Sequence, residues 1–191
     1  LWNLSPFDFF PLPSPFVIGI TIVGTALSAM AAFAYNQILE VDTDAQMDRT
    51  KDRVLPSSKL SKGIVLAFGS TMLIVGQALL FFFVNWVAAA CALGSFLVYV
   101  VLYTALLKRR TEHNTVIGGI SGAVGPLIGQ AASAGTIHLD GFLLFLLIFL
   151  WQPPHFWALA IHLREDYGRA GFPMLPVVKG IDRTVKEMLI Y

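Results

Sequence analysis

Cysteine is nearly absent. Cys91 is the only one among 191 residues, which excludes a disulfide framework and a cysteine metal site and leaves it to pack inside an apolar run. Charge is scarce too. Asp, Glu, Lys and Arg make up 13% of the chain, where a soluble globular protein carries about 25%. A net charge of +1 with no basic patch outside the loops excludes a nucleic-acid partner. What fills the space is apolar: 56% of residues are hydrophobic and the mean hydropathy is +0.70, the composition of an integral membrane protein embedded in lipid. The chain opens at Leu1 without a basic segment, short apolar run and cleavage site, and a helix-like run begins again at Lys186 to Tyr191. Further elements are therefore expected beyond both ends.

The organisation is all-α, a polytopic transmembrane helix bundle read as one domain over 1–191. Apolar runs at 16–39, 63–84, 86–107, 116–134 and 141–162 are each long enough to cross roughly 30 Å of hydrocarbon. Residues 1–15 hold Pro6, Pro11, Pro13 and Pro15 and read as an interfacial loop, with Trp2 and Phe7 suited to headgroup level. In the fourth run, Gly118, Gly122, Gly125 and Gly129 form a small-residue stripe that admits a neighbouring helix backbone, and Pro126 predicts a kink. Five alternating spans put the loops after the first, third and fifth on one side. All 13 Lys and Arg residues fall there, and the other side has Asp8, His138 and Asp140 but no base. The positive-inside rule makes the charged side cytoplasmic, or the matrix in an organelle.

Polar residues concentrate where the first span ends, in NQILEVDTDAQMDRTKDR. On a continuing helix Asn36, Glu40, Asp44 and Asp48 stand four apart and share one face. Oxygen donors so spaced repel one another unless a cation sits among them, and they suit a hard ion such as Mg²⁺. Arg49, Lys51 and Arg53 follow and are placed to hold the far side of a phosphate bridged by that ion. A second constellation closes the fifth span: His155, His162 and Asp166, at spacings of seven and four, are expected on one helix face directed at the first stripe. Pro153 and Pro154 are expected to break the helix just before His155. The imidazoles suit iron or proton transfer. Between the clusters, Lys108, Arg109 and Arg110 read equally as diphosphate ligands and as topology anchors.

Two acidic clusters and bases over one intramembrane cavity ask for a substrate both greasy and anionic. A prenyl diphosphate meets that description, with metal and bases stabilising the leaving group as an allylic carbon–oxygen bond ionises. A transporter would spread polar groups through the depth of several spans, whereas the second and third are nearly bare, Gln77 and Asn85 being the clearest exceptions. A haem carrier or oxidase assembly protein would use the histidines but not the acidic stripe.

The runs NQILEVDTDAQMDRTKDR, YTALLKRRTEHNTVIGGISGAVGPLIGQAA and WQPPHFWALAIHLREDYGRAGFPMLPVV together resemble the protoheme IX farnesyltransferase branch of the intramembrane UbiA prenyltransferase superfamily. Gln37 with Glu40, and His162 four residues before Asp166, match that branch's wording of the two acidic motifs. The resemblance implies transfer of a farnesyl group from farnesyl diphosphate to a vinyl group of haem B. It implies a catalytic set of Asn36, Glu40, Asp44 and Asp166 holding Mg²⁺ and diphosphate, with Arg49, Arg53, Lys108 and Arg109 on the phosphates and His155 and His162 facing the porphyrin. Haem B is then substrate rather than cofactor, and haem A synthase or oxidase assembly factors are the implied partners. The implied fold is a bundle of about nine helices around one cavity, of which this chain would hold the middle. The implied location is the mitochondrial inner membrane with the charged loops in the matrix, or a bacterial plasma membrane with them in the cytoplasm. A quinone-precursor prenyltransferase of the same superfamily is the alternative. Where the family commonly reads Arg-Pro-Leu this chain has Arg53, Val54 and Leu55, which puts that loop's rigidity in question.

Overall fold

The computed structural model describes residues 13–191, so Trp2, Phe7, Asp8 and most of the proline-rich loop lie outside the described residues. Ser14 starts the first helix, α1 (Pro15–Asp44): its hydroxyl accepts from Val17 N at 3.3 Å, and Pro15 at the first position gives up an amide the helix would not use. Ser61 caps α2 (Lys62–Phe83) in the same way. Asn85 caps α3 (Trp86–Leu97) by accepting from Ala88 N at 2.9 Å, while its amide donates to the Ala131 carbonyl at 2.7 Å. After α3 the third span continues to Leu107 as a ten-residue π-helix, Val98–Leu107.

The fourth span is two helices, α4 (Asn114–Ala123) and α5 (Gly125–Ala134), separated at Val124 just before Pro126. The proline therefore interrupts the span as expected, since its ring excludes the carbonyl four residues back. The fifth is α6 (Leu139–His162), followed by α7 (Arg164–Arg169), α8 (Leu175–Val178) and α9 (Ile181–Met188). Pro153 and Pro154 lie inside α6 without breaking it. That corrects the expected break: a helix in lipid keeps its remaining intrahelical bonds because the hydrocarbon offers no other partner.

Five helical segments are long and apolar enough to cross a membrane, and the protein is an integral membrane protein. The tightest pair is α1 with α2. A methyl added at Gly76 would come within 2.8 Å of the Gly24 carbonyl, so the two backbones touch, and Gln77 to Ser28 (3.1 Å) and Tyr35 to Ser70 (2.8 Å) add polar ties. Leu80, Ala88, Ala92, Val124, Ile128 and Ala131 form a core on the side of the membrane opposite the charged loops. Large apolar side chains such as Ile74 and Phe82 point outward, as lipid-facing residues do.

The glycine stripe is used unevenly. A methyl at Gly118 would lie 2.7 Å from the Tyr103 ring, and one at Gly122 would collide with the Gln152 amide. Gly125 and Gly129 face open space. The stripe seats two side chains from neighbouring spans rather than a second backbone.

Candidate active site

The stripe on α1 is buried at the end of the span. Asn36, Glu40 and Asp44 are 6%, 3% and 3% exposed, and Asn36 Nδ2 donates to Glu40 Oε2 at 2.9 Å. Helix α1 runs five residues past the expected boundary, which keeps these three on one face. Asp48 does not join them. The helix stops at Asp44 and the chain turns, leaving the Asp48 side chain 63% exposed, where it accepts from Lys51 at 2.9 Å and from Arg169.

Each stripe carboxylate is met by a base from a different loop. Lys108 Nζ lies 2.7 Å from Glu40 Oε2, and Arg53 Nη1 lies 2.8 Å from Asp44 Oδ2. Arg109 donates to the Thr43 hydroxyl at 3.3 Å and to the Leu39 carbonyl at 3.4 Å, so it touches α1 but no carboxylate. Arg49 is exposed and stands beside Tyr167, whose phenol is pushed up by burial against the opposing effect of that guanidinium. The loop is folded without the family's proline: the Val54 carbonyl accepts from Lys59 N and Leu60 N at 2.9 and 3.2 Å.

The π-helix aims Lys108. Thr104 Oγ1 and Lys108 N donate to carbonyls five residues back, Tyr99 and Tyr103, both at 2.8 Å. Thr104 in turn accepts from Asn36 Nδ2 at 3.3 Å, so the wider turn sets two consecutive contacts against α1. Buried Asn114 fixes the turn beyond by donating to the carbonyls of Lys108 and Thr111. The ammonium also lies 4.8 Å from the Phe172 ring and 5.6 Å from Tyr103, near enough for both aromatic faces to attract it. Burial pushes the Lys108 pKa down, and Glu40 opposes the shift.

The second constellation is divided. His162 ends α6, Leu163 closes the helix, and Asp166 belongs to α7, where it is buried and bound by Arg169. His155 and His162 are exposed on α6, with the His155 ring stacked 4.5 Å from Trp151. Helix α6 packs against α4, α5, α8 and α9, and no hydrogen bond or ion pair joins either histidine to the α1 stripe among the described residues. Asp166 thus leaves the face expected for it with His155 and His162 because the helix ends at His162, while the two histidines, seven apart on α6, keep theirs. Arg169 nevertheless joins the two acidic loops, since it donates to Asp48 and Asp166 together.

Arg169, Thr104, Asn114 and Phe172 escaped the sequence reading. Arg169 had a signal, three residues after Asp166 on one helical turn. Thr104 and Phe172 meet the site across chain separations that periodicity does not report, and Asn114 acts on the backbone of the turn after Lys108.

Among the described residues no three His, Cys, Asp or Glu side chains stand together as a metal cluster. The donor chemistry still fits a hard cation: Glu40 Oε1 is buried with no hydrogen-bond partner, and it is a carboxylate oxygen.

Residues 9–191 match the UbiA prenyltransferase family. A protein from Leptospira biflexa serovar Patoc named protoheme IX farnesyltransferase is 50% identical over 179 residues, covering 94% of this chain and 63% of its own. One of the same name from Prochlorococcus marinus is 48% identical over 191 residues, covering all of this chain and 57% of its own. The chain thus spans about 60% of the length of these curated relatives. Among solved structures, a UbiA homolog from Archaeoglobus fulgidus bound to DMAPP and Mg²⁺ superposes with a TM-score of 0.70 at 16% identity, covering 92% of this chain and 67% of that one, which establishes the shared fold. By its sequence, and with a fold to match, the chain belongs to the UbiA prenyltransferase family.

Proposed function

We propose that this chain forms the diphosphate-handling part of an enzyme that transfers a farnesyl group from farnesyl diphosphate to a vinyl group of haem B, giving haem O. The observation that carries the reading is the buried stripe of Asn36, Glu40 and Asp44 with Lys108 and Arg53 set against it at the mouth of a membrane bundle. The names of the relatives supply the acceptor. Asn36, Glu40 and Asp44 would hold Mg²⁺, with buried Asp166 the candidate carboxylate from the second motif. The ion supplies neutralising charge for the leaving diphosphate.

The chain's own part is positional and electrostatic. Lys108, Arg53, Arg49 and Arg109 present cations around the α1 end, where developing negative charge on the diphosphate is stabilised in surroundings of low dielectric. The apolar spans take the prenyl tail and keep water from the allylic cation. His155 and Trp151 offer a flat stacked pair on an exposed face of α6, suited to a porphyrin edge. The bacterial relatives support a plasma membrane with the charged loops in the cytoplasm over the mitochondrial alternative.

The test is mass analysis of tetrapyrroles after membranes containing the protein are incubated with haem B, farnesyl diphosphate and Mg²⁺. A haem heavier by one hydroxyfarnesyl group, lost on chelation of Mg²⁺, is the expected outcome. Because no hydrogen bond or ion pair among the described residues joins either histidine to the stripe, a quinone-precursor ring is the second reading, and prenylation of that ring with haem unchanged would select it.

A further inference from the structure

Two of the four bases assigned above to diphosphate, Lys108 and Arg53, are already paired with carboxylates. Lys108 holds Glu40, Arg53 holds Asp44, and Arg169 holds both Asp48 and Asp166. An ammonium has three donors, and Lys108 spends one of them on Glu40. At 2.7 Å from Glu40 Oε2 the Lys108 charge repels a metal ion at that oxygen, and while held there it has fewer donors for phosphate.

We propose that metal and diphosphate bind as partners in a charge exchange: the carboxylates pass to the metal while Lys108 and Arg53 pass to the diphosphate, so that neither ligand binds well alone. The inference rests on the prenyl diphosphate reading. Metal alone would leave Lys108 and Arg53 beside an added cation, and diphosphate alone would leave Glu40 and Asp44 beside an added anion. Both cases strand charge in a buried place, and only the joint event keeps every charge opposed. Glu40 Oε1, buried without a partner, is the oxygen at which the exchange starts. The Phe172 and Tyr103 rings give Lys108 a cation-attracting path away from Glu40. Phe172 lies three residues beyond Arg169, in the loop that leaves α7, so the same movement reaches the second acidic motif. Arg169 is 53% exposed, and its exchange contributes less because solvent screens it.

The experiment titrates the purified full-length protein with Mn²⁺, read by the electron paramagnetic resonance of free Mn²⁺, with and without inorganic pyrophosphate. Complexation in solution is the same for every variant, so differences between variants report the protein. Wild type is expected to bind each ligand at least about tenfold tighter in the presence of the other, the scale of ordinary coupling between sites. Lys108→Met is expected to bind Mn²⁺ alone about tenfold tighter than wild type and to lose most of the coupling. Arg53→Gln, which removes a base one-third exposed, is expected to move the same way and carries the comparison if Lys108→Met does not fold. Arg183→Gln, on α9, should match wild type. Mn²⁺ and pyrophosphate binding independently in wild type, or full coupling in both variants, would overturn the exchange and leave the prenyl diphosphate reading intact. Binding of neither ligand would overturn both.

Discussion

Lys108 reaches across 68 positions of sequence to place its ammonium 2.7 Å from Glu40, and both groups are nearly closed to solvent, at 14% and 3% side-chain exposure. A buried pair of this kind contributes little net stability, yet breaking it leaves one charge stranded. Lys108→Met is expected to destabilise the protein by about 3–5 kcal/mol, and Lys108→Met with Glu40→Met to recover most of that. Thermal unfolding in detergent measures both. A double variant no more stable than the single would show that Lys108 acts through packing instead.

Asp44 offers a cleaner test of chemistry. Its partner Arg53 is one-third exposed and finds water when the carboxylate goes, so Asp44→Ala should stay folded. Prenyl transfer should fall by at least about a hundredfold, on the scale of losing one group that stabilises leaving-group charge. Turnover at the wild-type rate would remove Asp44 from the site.

His155 separates the two substrates. Because it stacks on Trp151 and makes no hydrogen bond or ion pair with the α1 stripe among the described residues, His155→Ala should weaken haem binding, read by the Soret band, and leave pyrophosphate binding unchanged. Unaltered haem affinity would take this face of α6 out of the acceptor site.

Acid should open the tie between the two acidic loops. Hydrogen bonds from Lys51 first and Arg169 second hold the Asp48 carboxyl below its ordinary range. A depressed carboxylate stabilises the fold above its unfolded pKa of about 3.9, and that contribution is lost as pH falls through the lower folded value. The tie is therefore intact at neutral pH and released only in strong acid. Asp48→Asn should flatten the stability profile below about pH 4 and lower stability by a pH-independent amount at neutrality, with the slope there unchanged. A change of slope near pH 7 would contradict this.

The fourth span gives a packing control. Gly118→Ala drives a methyl into the Tyr103 ring and should cost about 1–3 kcal/mol, whereas Gly129→Ala meets nothing and should be neutral or stabilising by up to about 1 kcal/mol. Equal losses at both positions would mean that the stripe is packed against something along its whole length.

Much of this arrangement is legible in the sequence. Apolar runs set all five spans, because length and hydropathy are what a bilayer selects, and α2 through the π-helical end of the third span fall within a residue of the expected bounds. The stripe of Asn36, Glu40 and Asp44 follows from helical spacing alone. Asp48 was misplaced because the same spacing says nothing about where the helix stops. Asp166 parts from the two histidines for the same reason, since α6 ends at His162. Lys108 was read as a base near the site, but its pairing with Glu40 comes from a π-helix, and no spacing rule for an α-helix anticipates one.

That π-helix also constrains chain length. A π-helix closes each turn with hydrogen bonds five residues back rather than four, so losing one residue between Val98 and Leu107 would change which side chains of the segment meet α1. Thr104 and Lys108 would turn away from Asn36 and Glu40 while the span still crossed the bilayer. In this stretch the number of residues, as well as their identity, belongs to the site: the membrane would tolerate a shorter helix, and the carboxylates would not.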